Sequence, residues 1–295
     1  MPNLLDIRRR IKSVKNTQQI TKAMKMVSAA KLKRAQDRVV TARPFANKMM
    51  EVLSGLADRT DENFHHPLLD ARSDEHYLLV LITADKGLCG AFNTNLIKAA
   101  QTFIRDNPDK QIEILAVGRK GRDFFRRREA HLVGEYIGLT GKGRVEFSEA
   151  LEVARDVIRR FTEDNEIDKA FVIYNEFKSV LQQRVVTEQL LPVSRTSAVA
   201  EAATTNQPLT LVDYIYEQPP GEIFAKLLPR LIETQIFRAL LESIASEQGA
   251  RMTAMDSASK NARELIDSLT LNMNRVRQAA ITNEIIEVVS GAAAQ

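Results

Sequence analysis

Sixteen residues between Leu4 and Leu56 recur in strictly alternating steps of three and four. They run Leu4, Ile7, Ile11, Val14, Gln18, Thr21, Lys25, Ser28, Leu32, Ala35, Val39, Ala42, Ala46, Met49, Leu53 and Leu56, eight heptads in one register. Only a helix lying along a partner keeps such a stripe facing one way. At ~1.5 Å per residue it runs roughly 80 Å, with Pro44 a point of local weakness. The middle of the stripe is polar, Gln18 to Ser28, and residues 15–36 carry six positive charges and no negative one.

The other end of the chain repeats the pattern. Pro219 and Pro220 stand where a helix can start without losing a useful donor. From Leu241 through Ala245, Gln248, Met252, Met255, Ser259, Ala262, Ile266, Leu269, Met273, Val276 and Ala280 the same spacing holds. A helix from Glu222 to about Val289, bent near Pro229, is expected. Neither helix can bury its stripe alone, so the two predict an antiparallel coiled coil.

Between them the period changes. Residues 76–84, 112–118, 131–137 and 169–177 are rich in Val, Ile, Leu and aromatics and predict strands, with 184–193 a fifth. Helical patterns at 91–106, 119–128 and 146–163 follow three of them, which predicts a largely parallel sheet. The fold class is α/β: a long coiled coil of terminal helices, 1–57 and 219–295, plus a central Rossmann-like α/β domain, 58–218. Residues 58–75 and 194–210 read as linkers.

No stretch approaches the ~18 apolar residues of a membrane span, and the N-terminus lacks the apolar core of a signal peptide. Cys89 is the only cysteine, so no intramolecular disulfide forms. The turn "TADKGLCGAFN" (83–93) sits where phosphate loops occur, but it lacks the glycine spacing and lysine of one, and reads as a tight strand-to-helix turn. Gly138, Gly141 and Gly143 read as a flexible connection. His65, His66, His76 and His131 are too scattered for a zinc set. No catalytic constellation, cofactor or metal site is expected.

Charge is what the chain displays most unevenly. Residues 1–57 hold 13 Lys/Arg against Asp6, Asp37 and Glu51, a net of +10, while residues 58–220 carry −5 and 221–295 carry −1. From Arg8 to Arg43 the cations face only Asp37. Such asymmetry implies an acidic partner, either nucleic acid or a protein with acidic loops. The cations spread round the helix without interleaved aromatics, which favours the protein partner.

The stretches "IRRRIKSVKNTQQITKAMKMVSAAKLKRAQ" and "SEQGARMTAMDSASKNARELI…LNMNRVRQAAITNEIIEVVSGA" resemble the terminal helices of the gamma subunit of F-type ATP synthases. "DKGLCGAFN" and "LTLVDYIYEQPP" resemble two further motifs of that family, so the likeness covers essentially the whole chain. It implies a central-stalk rotor inside a hexamer of alpha and beta subunits, joined by epsilon to a ring of c subunits, with ATP made on beta. It also implies beta-facing positions at Met24, Lys25, Arg251, Arg277, Gln278 and Thr282, and a foot on the c ring at Tyr214, Tyr216 and Glu217. No nucleic-acid role and no membrane span follow from it. One cysteine and a motif that begins near residue 1 favour a bacterial enzyme at the cytoplasmic face of the inner membrane.

A polar seam suits such a shaft. Deep apolar interdigitation is short-ranged and would hold the rotor at one angle, whereas charge acts over longer distances with a smoother profile. The interruption between Gln18 and Ser28 also lets the buried stripe drift toward Ile20, Met24 and Val27.

Overall fold

Apolar β-branched runs in the middle of the chain assemble one mixed sheet, and the long periodic stretches at its ends form single helices. The computed structural model describes residues 4–59, 64–128, 130–141, 144–163, 167–180, 182–193 and 218–293. Helix α1 (Leu4–Arg59) opens the chain and α5 (Pro220–Ala293) closes it. Between them come β1 (His76–Ile82), α2 (Phe92–Asp106), β2 (Gln111–Val117), α3 (Arg119–Arg126), β3 (Leu132–Tyr136), α4 (Phe147–Thr162), β4 (Lys169–Phe177) and β5 (Gln183–Leu191). Pro44 lies inside α1 and Pro229 inside α5, and neither ends its helix.

The sheet order is β3-β2-β1-β4-β5, with the first four strands parallel and β5 antiparallel to β4. Leu78 to Ile82 of β1 are all fully buried. A strand covered on both faces needs such an unbroken apolar run, which is why β1 reads so plainly in sequence. Gly118, at the end of β2, has a φ of 99°, and a Cβ there would lie 2.1 Å from the carbonyl oxygen of Thr83. Only glycine lets the ends of β1 and β2 approach this closely.

The chain groups into two compact units, residues 1–29 with 251–295, and residues 30–250. In the first, the heptad register survives its polar interruption. Thr21 and Ser28 are buried at 8% and 2% exposure, while Ile20 and Val27 are exposed at 60% and 56%. The stripe therefore does not drift toward Ile20 and Val27, and Met24 is only half-buried. The reason is local: the Thr21 hydroxyl donates to the Gln18 carbonyl at 3.0 Å, so a small polar side chain keeps the seam without an unsatisfied group. Met255 and Ala262 of α5 are buried in the same unit, whereas 277–290 are exposed throughout.

In the second unit α1 and α5 run antiparallel. Phe64, just past α1, packs on Phe224 near the start of α5, and residues 37–45 share a cleft with 234–242. Eleven consecutive residues of α5, 239–249, are buried.

Asp168 fastens the leading edge of the sheet. Its carboxylate accepts from Ser73 Oγ at 2.7 Å, Glu75 N at 2.8 Å and His76 N at 2.9 Å. Burial pushes this carboxyl up, but those hydrogen bonds, with the charge of His76, outweigh it and hold it below the ordinary value. A depressed carboxyl adds stability above its unfolded value of about 4, and the contribution is lost as pH falls through the folded value. Asp168→Asn should therefore melt earlier than the parent at pH 7. The gap between the two melting curves should close as the pH is lowered below about 4; a gap independent of pH would contradict this role.

Candidate functional site

The turn after β1 lies where strand order changes hand, since β1 has β2 on one side and β4 on the other. Open α/β sheets bind ligands in the crevice at such a point. Here the crevice is filled by the chain itself. Asp85 Oδ1 accepts from Arg119 N at 3.0 Å and Gly138 N at 3.1 Å. Its Oδ2 accepts from Gly141 N at 2.7 Å and Thr140 Oγ1 at 3.0 Å, and Asp85 N donates to Thr140 Oγ1 at 3.0 Å. The backbone donors that would cradle a phosphate are thus spent on a buried internal carboxylate.

This corrects the reading of residues 138–141 as a flexible connection: the glycine loop is pinned to Asp85. Sequence reasoning missed it because the two halves lie more than fifty positions apart. The available signal was an aspartate directly after an apolar strand, with a glycine loop elsewhere offering free N–H groups. The rest of the turn is held tightly too. Asn93 accepts from Ala84 N at 2.9 Å and donates to the buried Cys89 Sγ at 3.1 Å. Leu88 takes a φ of 61° and stands 63% exposed. Among the described residues, no group of three or more His, Cys, Asp or Glu side chains could hold a metal ion.

The candidate positions on the helices separate into two kinds. Lys25 is held across the seam, with Nζ 2.6 Å from Asp256 Oδ1. Asp256 also meets Lys260 Nζ at 3.0 Å, and the hydrogen bonds from Lys25 and then Lys260 keep its carboxyl below the ordinary range. The acid that α1 lacks around Lys25 is therefore supplied by α5. Arg251 is buried at 8% exposure. Arg277, Gln278 and Thr282 stand together on the exposed final part of α5, with Thr282 Oγ1 donating to the Gln278 carbonyl at 2.9 Å. Tyr214, Tyr216 and Glu217 lie outside the described residues.

A family model described as ATP synthase matches residues 3–295. The ATP synthase gamma chain of Solibacter usitatus is 54% identical over 297 residues, covering 100% of this chain and 99% of that one. That of Desulforamulus reducens is 50% identical over 296 residues, with 100% and 99% covered. A cryo-EM structure of the Tetrahymena thermophila mitochondrial ATP synthase central stalk and c ring contains a chain similar at a TM-score of 0.60 and 28% identity, covering 81% of this chain and 99% of that one. A rotor chain of the Euglena gracilis mitochondrial ATP synthase shares the fold at a TM-score of 0.65 and 21% identity, over 94% and 98%.

The Asp85 hub makes a quantitative claim. Asp85→Ala leaves the partly buried N–H groups of Arg119, Gly138 and Gly141 without their acceptor, at about 1 kcal/mol for each, the low end of the cost of an unmade bond. The expected loss in urea unfolding is about 3 kcal/mol or more, with a smaller loss for Asp85→Asn, which keeps one acceptor oxygen. Equal stability of the alanine variant and the parent would show that the hub is not structural.

Proposed function

We infer the work of this chain from one premise: it belongs to the ATP synthase gamma chain family. It is the central-stalk rotor subunit of an F-type ATP synthase, coupling rotation of the membrane c ring to the conformational cycle of the catalytic hexamer. The observation that carries this is identity of 54% with a bacterial gamma chain along the whole length, both terminal helices included. The chemistry takes place on the beta subunits, and this chain acts mechanically on them. Its partners are alpha, beta and epsilon subunits and the c ring. No described helix is long and apolar enough to cross a membrane, and the chain works as a peripheral subunit at the cytoplasmic face of the bacterial inner membrane.

The physical features support that role in different ways. The Lys/Arg belt of α1 offers acidic loops on beta an attraction that varies slowly with distance, so the shaft can pass three copies of each loop without a deep trap. Met24, Lys25 and Arg251 form the part of the contact nearest the seam. Arg277, Gln278 and Thr282 form the part on the exposed end of α5, where Ile281, Ile285 and Val288 also stand exposed. Tyr214, Tyr216 and Glu217 form the foot on the polar loops of the c ring.

Two experiments test this placement. Replacing Arg277 and Gln278 together with Ala should change stability by about 0.5 kcal/mol or less, because both are exposed. ATP synthesis should nevertheless fall about fivefold, the rate equivalent of roughly 1 kcal/mol. Synthesis at the parental rate in a complex that co-purifies with alpha and beta would remove that pair from the contact. Separately, cysteines at 214 or 217 should crosslink to a cysteine in the c-subunit loop and stop ATP-driven proton pumping. Undiminished pumping in a fully crosslinked sample, or no crosslink at either position, would move the foot elsewhere.

A further inference from the structure

A rotor whose α/β domain is turned from below must pass that force to its shaft through some set of contacts. We propose that the joint is a polar stripe on α5, formed by Arg238, Glu242 and Ser246, locked to the β4–β5 hairpin. This rests on the rotor reading and adds to it the residues that bear the load between sheet and helix.

The stripe exists because β4 is longer than its neighbour. The pairing of β4 with β1 ends at Leu81 and Ile173, while β4 continues to Phe177. Residues 175–177 therefore extend past the end of β1, and the backbone groups of residues two apart point to the same edge. Two of the backbone groups on that edge are taken up by α5. Ser246 Oγ donates to the Asn175 carbonyl at 3.1 Å, and Glu242 Oε2 accepts from Phe177 N at 3.0 Å. Side chains of a helix thus complete the ladder where a strand is missing.

One turn earlier, Arg238 Nη2 reaches Glu188 Oε2 of β5 at 3.0 Å, and the other oxygen of Glu188 accepts from Tyr174 Oη of β4 at 2.8 Å. Burial raises the Tyr174 phenol above its ordinary value; Glu188 and Glu242 raise it further, and Arg238 opposes them. The phenol stays a donor. One turn later, Gly249 faces the same hairpin, where a Cβ would make ordinary contact with Gln183 Nε2 at 3.5 Å and the Val180 carbonyl at 3.7 Å. Positions 238, 242, 246 and 249 follow the helical period and make one face.

These contacts differ in kind from the rest of the helix surface. Apolar packing resists separation but yields to small sliding movements, because no single direction is preferred. Hydrogen bonds and a partly buried ion pair are directional, and they weaken steeply once donor and acceptor move out of line. A face that must not slip under load needs the second kind. Glu242 and Ser246 are at 5% and 0% exposure, so water cannot substitute for a partner lost during slippage.

The test uses the complete enzyme in inverted membrane vesicles, and the detached catalytic sector in solution. Arg238→Glu places two carboxylates face to face, and Glu242→Ala leaves Phe177 N without its acceptor. The ratio of ATP-driven proton pumping to ATP hydrolysis, measured against an opposing gradient, should fall about fivefold in each, a coupling within the range of contacting residues. Unloaded hydrolysis by the detached sector should stay at the parental rate, since no force then crosses the joint. The reversed pair Glu188→Arg with Arg238→Glu should regain pumping, and Glu242→Gln, which still accepts from Phe177 N, should lose little. A parental pumping ratio in both Arg238→Glu and Glu242→Ala overturns the joint, as does an equal loss with and without load. Failure of the parental complex itself to pump in a manner dependent on this chain would overturn the rotor reading instead.

Discussion

Enclosing a helix on every side takes its polar atoms out of the reach of water, and α5 carries that constraint over residues 239–249. Five of those eleven residues are polar: Glu242, Ser243, Ser246, Glu247 and Gln248. An apolar helix would have been simpler to bury, because an unpaired polar group inside a protein costs about 1–3 kcal/mol. The sheet meets that constraint at Glu242 and Ser246. Its fourth strand overshoots its neighbour by several residues, and the edge thus exposed is what Glu242 and Ser246 complete. The length of β4, the hairpin to β5 and the polar composition of α5 are one solution to one accounting problem.

The seam of the terminal unit solves a related problem with weaker means. Thr21 and Ser28 are as buried as neighbouring apolar positions, and Thr21 satisfies its hydroxyl within its own helix. Such side chains occupy the seam without linking the two helices by directional bonds. One link that does cross is Lys25 to Asp256, at 43% and 33% side-chain exposure, where solvent screens the attraction. Residues 30–250 use buried directional bonds between sheet and helix; residues 1–29 and 251–295 use small, self-satisfied groups and screened charge.

What sequence made legible follows the range of the signal. The heptad register of α1 survives at its described positions, none of which is exposed, because periodicity is local and each position is set by the same helix. All five strands lie within two residues of their expected bounds, and β4 matches at both ends, because apolar runs are local as well. The Asp85 hub and the α5 stripe were not legible. Asp85 reads as a surface turn residue until Gly138 and Gly141 are brought beside it. Glu242 and Ser246, four apart, read as the wet face of an amphipathic helix, since a partnered buried polar stripe and a solvated one have the same period. The drift toward Ile20 failed for the opposite reason: hydrophobicity was weighed above the ability of Thr to bond its own backbone.

Charge sets a constraint that no internal arrangement removes. Residues 1–57 carry +10 and residues 221–295 carry −1, so complete pairing of the two terminal segments still leaves +9. Asp256 is shared between Lys25 and Lys260, one cation from each helix, which uses part of the scarce acid on α5 itself. Even after the −5 of residues 58–220 is counted a net +4 remains, so the belt on α1 favours a surface of opposite sign outside the chain. At physiological salt such charges interact over about 8 Å, several times the reach of a hydrogen bond. A surface attracted over that distance can be held at many angles with similar energy, whereas a surface fitted by interlocking side chains can be held at only one. Cations concentrated on α1 therefore suit a partner surface that has to be met at many angles.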